Sequence, residues 1–404
     1  MKMWKKTLFI IWTGQALSLL SSAIVQFAII WWITIQTGSA STLAMASIAG
    51  ILPQIVLGAF IGVWVDRWDR KKIMIFSDLG IAFFTLLMGA LFYFDLVEIW
   101  HIYFLLAIRS IGSAFHFPSM QASIPLLAPE SQLTRIAGIN QVLYSISSIA
   151  GPALGALCCE LLEMDVIVLI DVAGAIWACS TLAFVKIPKV KPKSDDKNII
   201  RDLKEAFNAI YSNKGLFSLV IAWLIAVFFF VPVDALFPLM TSGYFGRSAF
   251  ELGIVEVSFG IGMLLGGGIM GIWGKNKGRV NLINGGLIVM GFCYFLAGIL
   301  TMHQFYFFAV LVFIMGISVP IFNSPIMSLL QTNIDPNMLG RVFSLVDTIA
   351  LLPVPFGLIF VGTITDRIGI SNIFLIAGAA IISVGMVCFF IKPLMALNKE
   401  KKPD

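Results

Sequence analysis

The chain has 404 residues, 59% of them hydrophobic and only 12% charged, where soluble domains carry roughly 25% charged residues. Its formal net charge is +5, from 27 Lys and Arg against 22 Asp and Glu. This composition excludes a soluble globular or disordered chain and points to one that crosses a bilayer many times.

The N-terminus, Met1-Lys2-Met3-Trp4-Lys5-Lys6, resembles the basic start of a signal peptide. The apolar run after it, 8–33, is too long for a signal core of ~7–15 residues and is expected to be an uncleaved first span. Runs of bilayer length, ~17–25 residues, recur at 8–33, 43–65, 73–94, 101–123, 137–161, 166–186, 216–240, 251–273, 281–301, 305–327, 342–364 and 370–391. Twelve spans are therefore expected. With the N-terminus placed in the cytoplasm, 24 of the 27 Lys and Arg fall on the inner side, as the positive-inside rule requires. Both termini are then cytoplasmic. The basic excess is a topology signal, so nucleic acid is not an expected partner.

Between the second and third runs lies Asp66-Arg67-Trp68-Asp69-Arg70-Lys71-Lys72, six charges in seven residues. Such a turn must sit in headgroups or water while its flanks cross hydrocarbon. In the fourth run Arg109 stands well inside an apolar segment. A cation there costs ~2.5–3.5 kcal/mol on insertion scales, so it must face a partner or a wet cavity. The fifth run carries Ser147-x-x-x-Gly151-Pro152-x-x-Gly155, small residues for close helix approach and a proline that bends the axis.

The long polar segment 188–215 opens as a linker and continues with Ile199, Ile200, Leu203, Phe207, Ile210 and Tyr211 at helical spacing. It predicts an amphipathic helix lying on the inner leaflet. It divides the chain into an N-terminal bundle, 1–187, the linker, 188–215, and a C-terminal bundle, 216–404. Acids at membrane depth are Asp171, Asp234, Glu256 and Asp347. A carboxyl held away from water keeps its proton nearer neutral pH, as a proton carrier must. Glu256 and Asp234 lie at similar expected depth, while Asp347 reads as a charge at a helix N-terminus.

Glycines crowd the eighth run without the strand and phosphate loop of a nucleotide fold, and no phosphate-loop signature occurs. ATP-driven transport by this chain alone is not expected, although a partner ATPase is left open. Phe115, Phe117, Trp223, Phe229 and Phe322 are candidate walls of a greasy cavity for an amphipathic ligand. Pro118, Pro232, Pro238, Pro320, Pro325, Pro353 and Pro355 are expected to break helices at membrane depth. The five cysteines all sit in apolar runs without metal-ligand spacing; no metal and no cofactor is expected.

The halves echo each other. Gly112 and Arg135 recur as Gly316 and Arg341, and Leu52, Pro53, Gly62, Asp66 and Arg67 recur at an offset of 300 as Leu352, Pro353, Gly362, Asp366 and Arg367. Inverted repeats nested within each half fit a transporter plan.

Gly62, Asp66, Arg67, Arg70 and Lys71 resemble the signature loop of the major facilitator superfamily, with Asp69 where that family usually has Gly. Arg109 with Gly112 is similar to its second motif, one residue shorter, and Ser147–Gly155 to its antiporter motif, with Ser147 for the first Gly. The runs Arg109–Pro118, Leu339–Leu345, Asp66–Met74 and Asn213–Phe217 resemble the bacterial macrolide-efflux branch. The resemblance implies an all-α membrane protein of two six-helix bundles in a bacterial inner or plasma membrane, and no enzyme. It implies export of macrolides, small amphipathic drugs, in exchange for protons by alternating access; separately, a monomer is expected. Glu256, Asp234, Arg109 and Asp171 become candidates for proton coupling, with Glu256 and Asp234 ahead of Asp171 because that fold lines its cavity with the seventh and eighth helices and leaves the sixth more peripheral. Gly62, Asp66, Arg67, Arg70, Lys71 and Arg341 become a conformational gate, with Asp66 facing the start of the eleventh helix near Arg341. An exporter of a siderophore, peptide or other drug is the nearest alternative; a receptor or channel is more distant.

Overall fold

The computed structural model describes residues 3–129, 132–188, 199–273, 278–335 and 338–398. Among them there are helices and turns and no strand. The helices are α1 (Met3–Thr37), α2 (Ala40–Arg67), α3 (Arg70–Tyr93), α4 (Ile99–Leu127), α5 (Leu133–Leu161), α6 (Met164–Ala183), α7 (Ile199–Ser212), α8 (Lys214–Asp234), α9 (Phe237–Leu239), α10 (Ala249–Trp273), α11 (Arg279–Ile299), α12 (Phe305–Asn333), α13 (Leu339–Leu351), α14 (Pro353–Ile368), α15 (Ile370–Phe390) and α16 (Lys392–Met395). Each of the twelve expected spans coincides with a helix or, for the seventh and eleventh, a helix and its continuation. Eleven segments are long and apolar enough to cross a membrane. The twelfth, α4, has 29 residues and carries His101, Arg109 and His116.

Prolines break fewer helices than their number predicts. Pro118, Pro232, Pro320 and Pro325 stay inside α4, α8 and α12, and Pro355 lies in the first turn of α14. Pro353 does interrupt the eleventh span: α13 ends at Leu351 and α14 begins at Pro353. The seventh span stops earlier than expected, at Asp234, and continues through α9 and a π-turn, Met240–Tyr244. Proline loses one backbone donor but keeps a helical φ, so neighbouring turns carry it where the surroundings are packed.

By contacts the chain separates into two compact units, Met1–Gly38 with Met45–Ser194 and Ser248–Val257, and Ser39–Ala44 with Asp195–Arg247 and Ser258–Asp404. In the first unit α1 packs on α5 and α6, and α3 on α4 and α6. Ile11, Met74, Met120 and Leu182, one from each of α1, α3, α4 and α6, form a buried cluster with Val185. In the second unit α11 lies between α12 and α15, and α8 between α14 and α15. Backbones approach closely here: a side chain at Gly262 would collide with the Phe313 carbonyl of α12. Without a hydrophobic drive between helices in lipid, such van der Waals contact is what holds spans together.

Helix α7 is amphipathic as expected. Ile210 and Ala206 are buried, while Phe207 and Tyr211 are exposed and stacked with ring centroids 5.9 Å apart. It packs on α8 and α13. Near the end of α14, Asp366 accepts from the backbone N–H of Ala40 at 2.8 Å and Ser41 at 3.1 Å and from the Ser39 hydroxyl at 3.1 Å. It thereby satisfies donors that the first turn of α2 leaves open.

Candidate functional site

The first unit buries a charge network at the meeting of α1, α4 and α6. Arg109 Nη1 donates to Asp171 Oδ2, and Arg109 Nη2 donates to the Ser22 carbonyl at 3.2 Å. The Ser22 hydroxyl donates to Asp171 Oδ1 at 2.6 Å. Arg109 is 8% exposed and Asp171 2%. Sequence reasoning found both residues but ranked Asp171 as peripheral; the structure makes it the counter-ion of Arg109. Each carboxylate oxygen has a donor, and the guanidinium keeps its charge at any physiological pH. The pair is therefore internally neutral and well suited to hold three helices together.

A second polar cluster escaped the sequence reading. Asp78 on α3 is 6% exposed, and its Oδ1 lies 3.5 Å from His116 Nε2 on α4. Gln15 Nε2 on α1 lies 3.5 Å from the same ring nitrogen. Asp78 is the one charged residue in the run 73–94, which is the signal that should have placed it beside Asp171 and Glu256.

Glu256 is half-buried on α10 and has no hydrogen-bond or ion-pair partner among the described residues. Gly253, one turn earlier, packs on α5: an added Cβ would meet Ala156 Cβ at 2.7 Å and the Pro152 carbonyl at 3.5 Å. Asp234, at the end of α8 in the second unit, accepts a hydrogen bond from the hydroxyl of the fully buried Tyr294 on α11. Asp234 and Glu256 fall in different units.

In the charged loop, Asp69 caps α3, in extended conformation with φ −70° and its carboxylate accepting from Lys72 N–H at 3.3 Å. A residue with this backbone does not need to be glycine, which explains why Asp69 fits here. Arg70 Nη1 donates to the Ala122 carbonyl at 2.6 Å, and Lys71 Nζ to the carbonyls of Ala183 at 2.9 Å and Val185 at 2.7 Å. Arg70 thus meets a carbonyl within the last two turns of α4, and Lys71 meets carbonyls at and just past the end of α6, where the helix dipole is negative. The side chains of Asp66, Arg67 and Asp347 and the surroundings of Gly62 lie outside the described residues. Arg341, at the start of α13, donates to Glu205 of α7 at 2.6 Å.

The glycine-proline motif packs α5 on α1. A side chain at Gly151 would collide with Ala23 Cβ, and one at Gly155 would meet Phe27 at 2.9 Å. The aromatic candidates scatter. Phe115 is half-buried and stacks on Trp64 at 5.6 Å, while Phe117 is exposed against Tyr144 at 5.7 Å. Trp223 is buried, Phe229 is half-buried beside Phe228, and Phe322 is buried against Phe230 at 6.0 Å.

Comparison with known proteins adds an independent line. The profile described as Major Facilitator Superfamily matches residues 11–246 and 231–404. The chain is 43% identical over 397 residues to macrolide efflux protein A of Streptococcus pyogenes, covering 98% of each. It is 42% identical over 323 residues to macrolide efflux protein A of Enterococcus faecalis, covering 80% of this chain and all of that protein. Among solved structures, a bacterial homologue of the human lysosomal transporter Spinster superposes with a TM-score of 0.75 at 13% identity over 98% of both chains. That last likeness concerns the fold alone.

Proposed function

The chain belongs to the major facilitator superfamily, as a multi-pass membrane transporter and not an enzyme, and from that premise we propose that it exports macrolide antibiotics in exchange for protons. The observation that carries this reading is the 43% identity to macrolide efflux protein A of Streptococcus pyogenes across 98% of the chain. We place it in the bacterial inner or plasma membrane with both termini cytoplasmic, because 24 of the 27 Lys and Arg then lie inside.

The mechanism we propose is alternating access between two bundles, 1–187 and 216–404, joined by the 188–215 linker. Export against a gradient needs drug and proton to favour different states; a ligand that binds both states equally moves nothing. Glu256 is the first choice of proton carrier, since an acid at membrane depth with no described cation partner gains most from taking a proton. Asp234 is the second. Arg109 and Asp171 neutralise each other, which supports a positioning role in the same coupling. In the loop 66–72, Arg70 and Lys71 tie α3 to α4 and α6, so the loop moves with its bundle; with Gly62, Asp66, Arg67 and Arg341 it forms the proposed gate. Phe115, Phe117, Trp223, Phe229 and Phe322 remain the proposed cavity aromatics. The transporter acts as a monomer in the bilayer, with the drug and protons as its ligands.

The test is accumulation of radiolabelled erythromycin in cells with and without the protein. Expression should lower accumulation, and a protonophore should restore it. Equal accumulation in both cell types, with the protein verified in the membrane, overturns the macrolide reading.

A further inference from the structure

The Arg109–Asp171 pair leaves a separate buried ionisable group unexplained. Asp78 Oδ1 is 3.5 Å from His116 Nε2, and Gln15 Nε2 is 3.5 Å from that same atom. One ring nitrogen thus lies within reach of an amide donor and a carboxylate acceptor. The other carboxylate oxygen, Asp78 Oδ2, is buried and has no hydrogen-bond partner among the described residues. We propose that Asp78 and His116, with Gln15, form a proton-binding site that takes up and releases one proton during the transport cycle; this rests on the antiport reading above.

The chemistry follows from the inventory of the three groups. With the neutral ring in its Nδ1–H tautomer, Nε2 is bare and accepts from the Gln15 amide; in the imidazolium both ring nitrogens are donors, and Nε2–H faces Asp78. The proton's arrival therefore exchanges one hydrogen bond for the other between α1 and α3. With one proton present, the imidazolium and carboxylate sum to zero charge. Without it, a single buried carboxylate is left uncompensated, which is costly in a dry interior. Release is then favoured only where water reaches the site, and that is the behaviour coupling requires.

The neighbouring elements bring few other ionisable groups. From α6 comes Cys179, whose thiol donates to the Ile75 carbonyl at 3.8 Å, one turn before Asp78. Asp171 on α6 and Arg109 on α4 are committed to each other. From α1 the contributor is the neutral Gln15. Carboxyl and imidazole are thus the two groups that the proposed site offers to a proton.

The chain has three histidines, His101, His116 and His303, so their ring signals can be followed individually. In nitrogen-15-histidine-labelled protein in nanodiscs, His116 should titrate. Asp78→Asn should displace its midpoint by at least about tenfold in proton concentration, with His101 and His303 unmoved. An unchanged His116 midpoint in Asp78→Asn, or a His116 that does not titrate, overturns the proposal.

Proteoliposomes with a trapped pH dye then read coupling. Asp78→Asn and His116→Gln should keep downhill erythromycin flux, which also reports folding, and lose at least about tenfold of drug-driven proton movement. Wild-type protein that moves protons with drug, alongside variants that do so equally, overturns the proposal. Wild-type protein that carries drug without moving protons instead overturns the antiport reading, and the titration alone then decides whether the pair binds a proton.

Discussion

Arg109 pairs with Asp171 where both are buried, and that sets the penalty for losing one of them. Arg109→Ala strands a buried carboxylate and should lower stability by about 3–5 kcal/mol, read as a fall in the thermal unfolding midpoint in detergent. Replacing both, Arg109→Met with Asp171→Leu, should recover much of the loss, because the uncompensated charge is gone. Glu256→Gln should behave differently, leaving the unfolding midpoint nearly unchanged and abolishing the effect of a protonophore on erythromycin accumulation. A lone cation in an apolar run is conspicuous in a sequence, so Arg109 was legible. Its partner was not, because nothing along the chain says that α4 and α6 bring residues 109 and 171 together. The Asp78–His116 pair was hidden in the same way: a histidine in an apolar run carries little signal until a carboxylate is seen facing it.

At the scale of elements, the tightest test is the seam between α1 and α5. Gly151→Ala drives a methyl into Ala23 and should destabilise by about 1–3 kcal/mol, as overpacking does. Ala23→Gly in the same protein should relieve most of it, measured again as the unfolding midpoint. The cap that Asp366 supplies to α2 should be worth about 1 kcal/mol in an Asp366→Ala comparison. By contrast, Arg341→Ala should change stability by less than about 1 kcal/mol, since its pair with Glu205 is half exposed. Spans and the amphipathic α7 were legible because apolar length and period are local. The break at Pro353 was among those expected, but the continuity of α4 and α12 through two prolines each was not: whether a helix tolerates a missing donor depends on what packs around it.

For the whole molecule, the distribution of Lys and Arg predicts sidedness. A cysteine placed at Lys5 in a chain whose five native cysteines are replaced should be blocked by an impermeant maleimide only after cells are opened. One placed at Arg247 should be blocked in intact cells. Labelling of the Lys5 position from outside would reverse the orientation and with it the direction of transport. Organisation into helices of bilayer length was readable in advance because a membrane constrains composition so strongly. The grouping of Ser39–Ala44 and Ser248–Val257 with the half opposite to their own in sequence was not, since it arises from tertiary contact.

Trp64 and Trp68 stand parallel at the end of α2, with ring centroids 6.0 Å apart and planes 7° from each other, and Phe115 of α4 stacks on both. Two indoles held so closely should couple their optical transitions, and a paired positive and negative band in ultraviolet circular dichroism is the expected signature. Trp68→Phe should erase that band while leaving the helical signal intact. The protein thus has a built-in optical reporter beside its charged loop, able to follow the geometry of that turn without an attached dye.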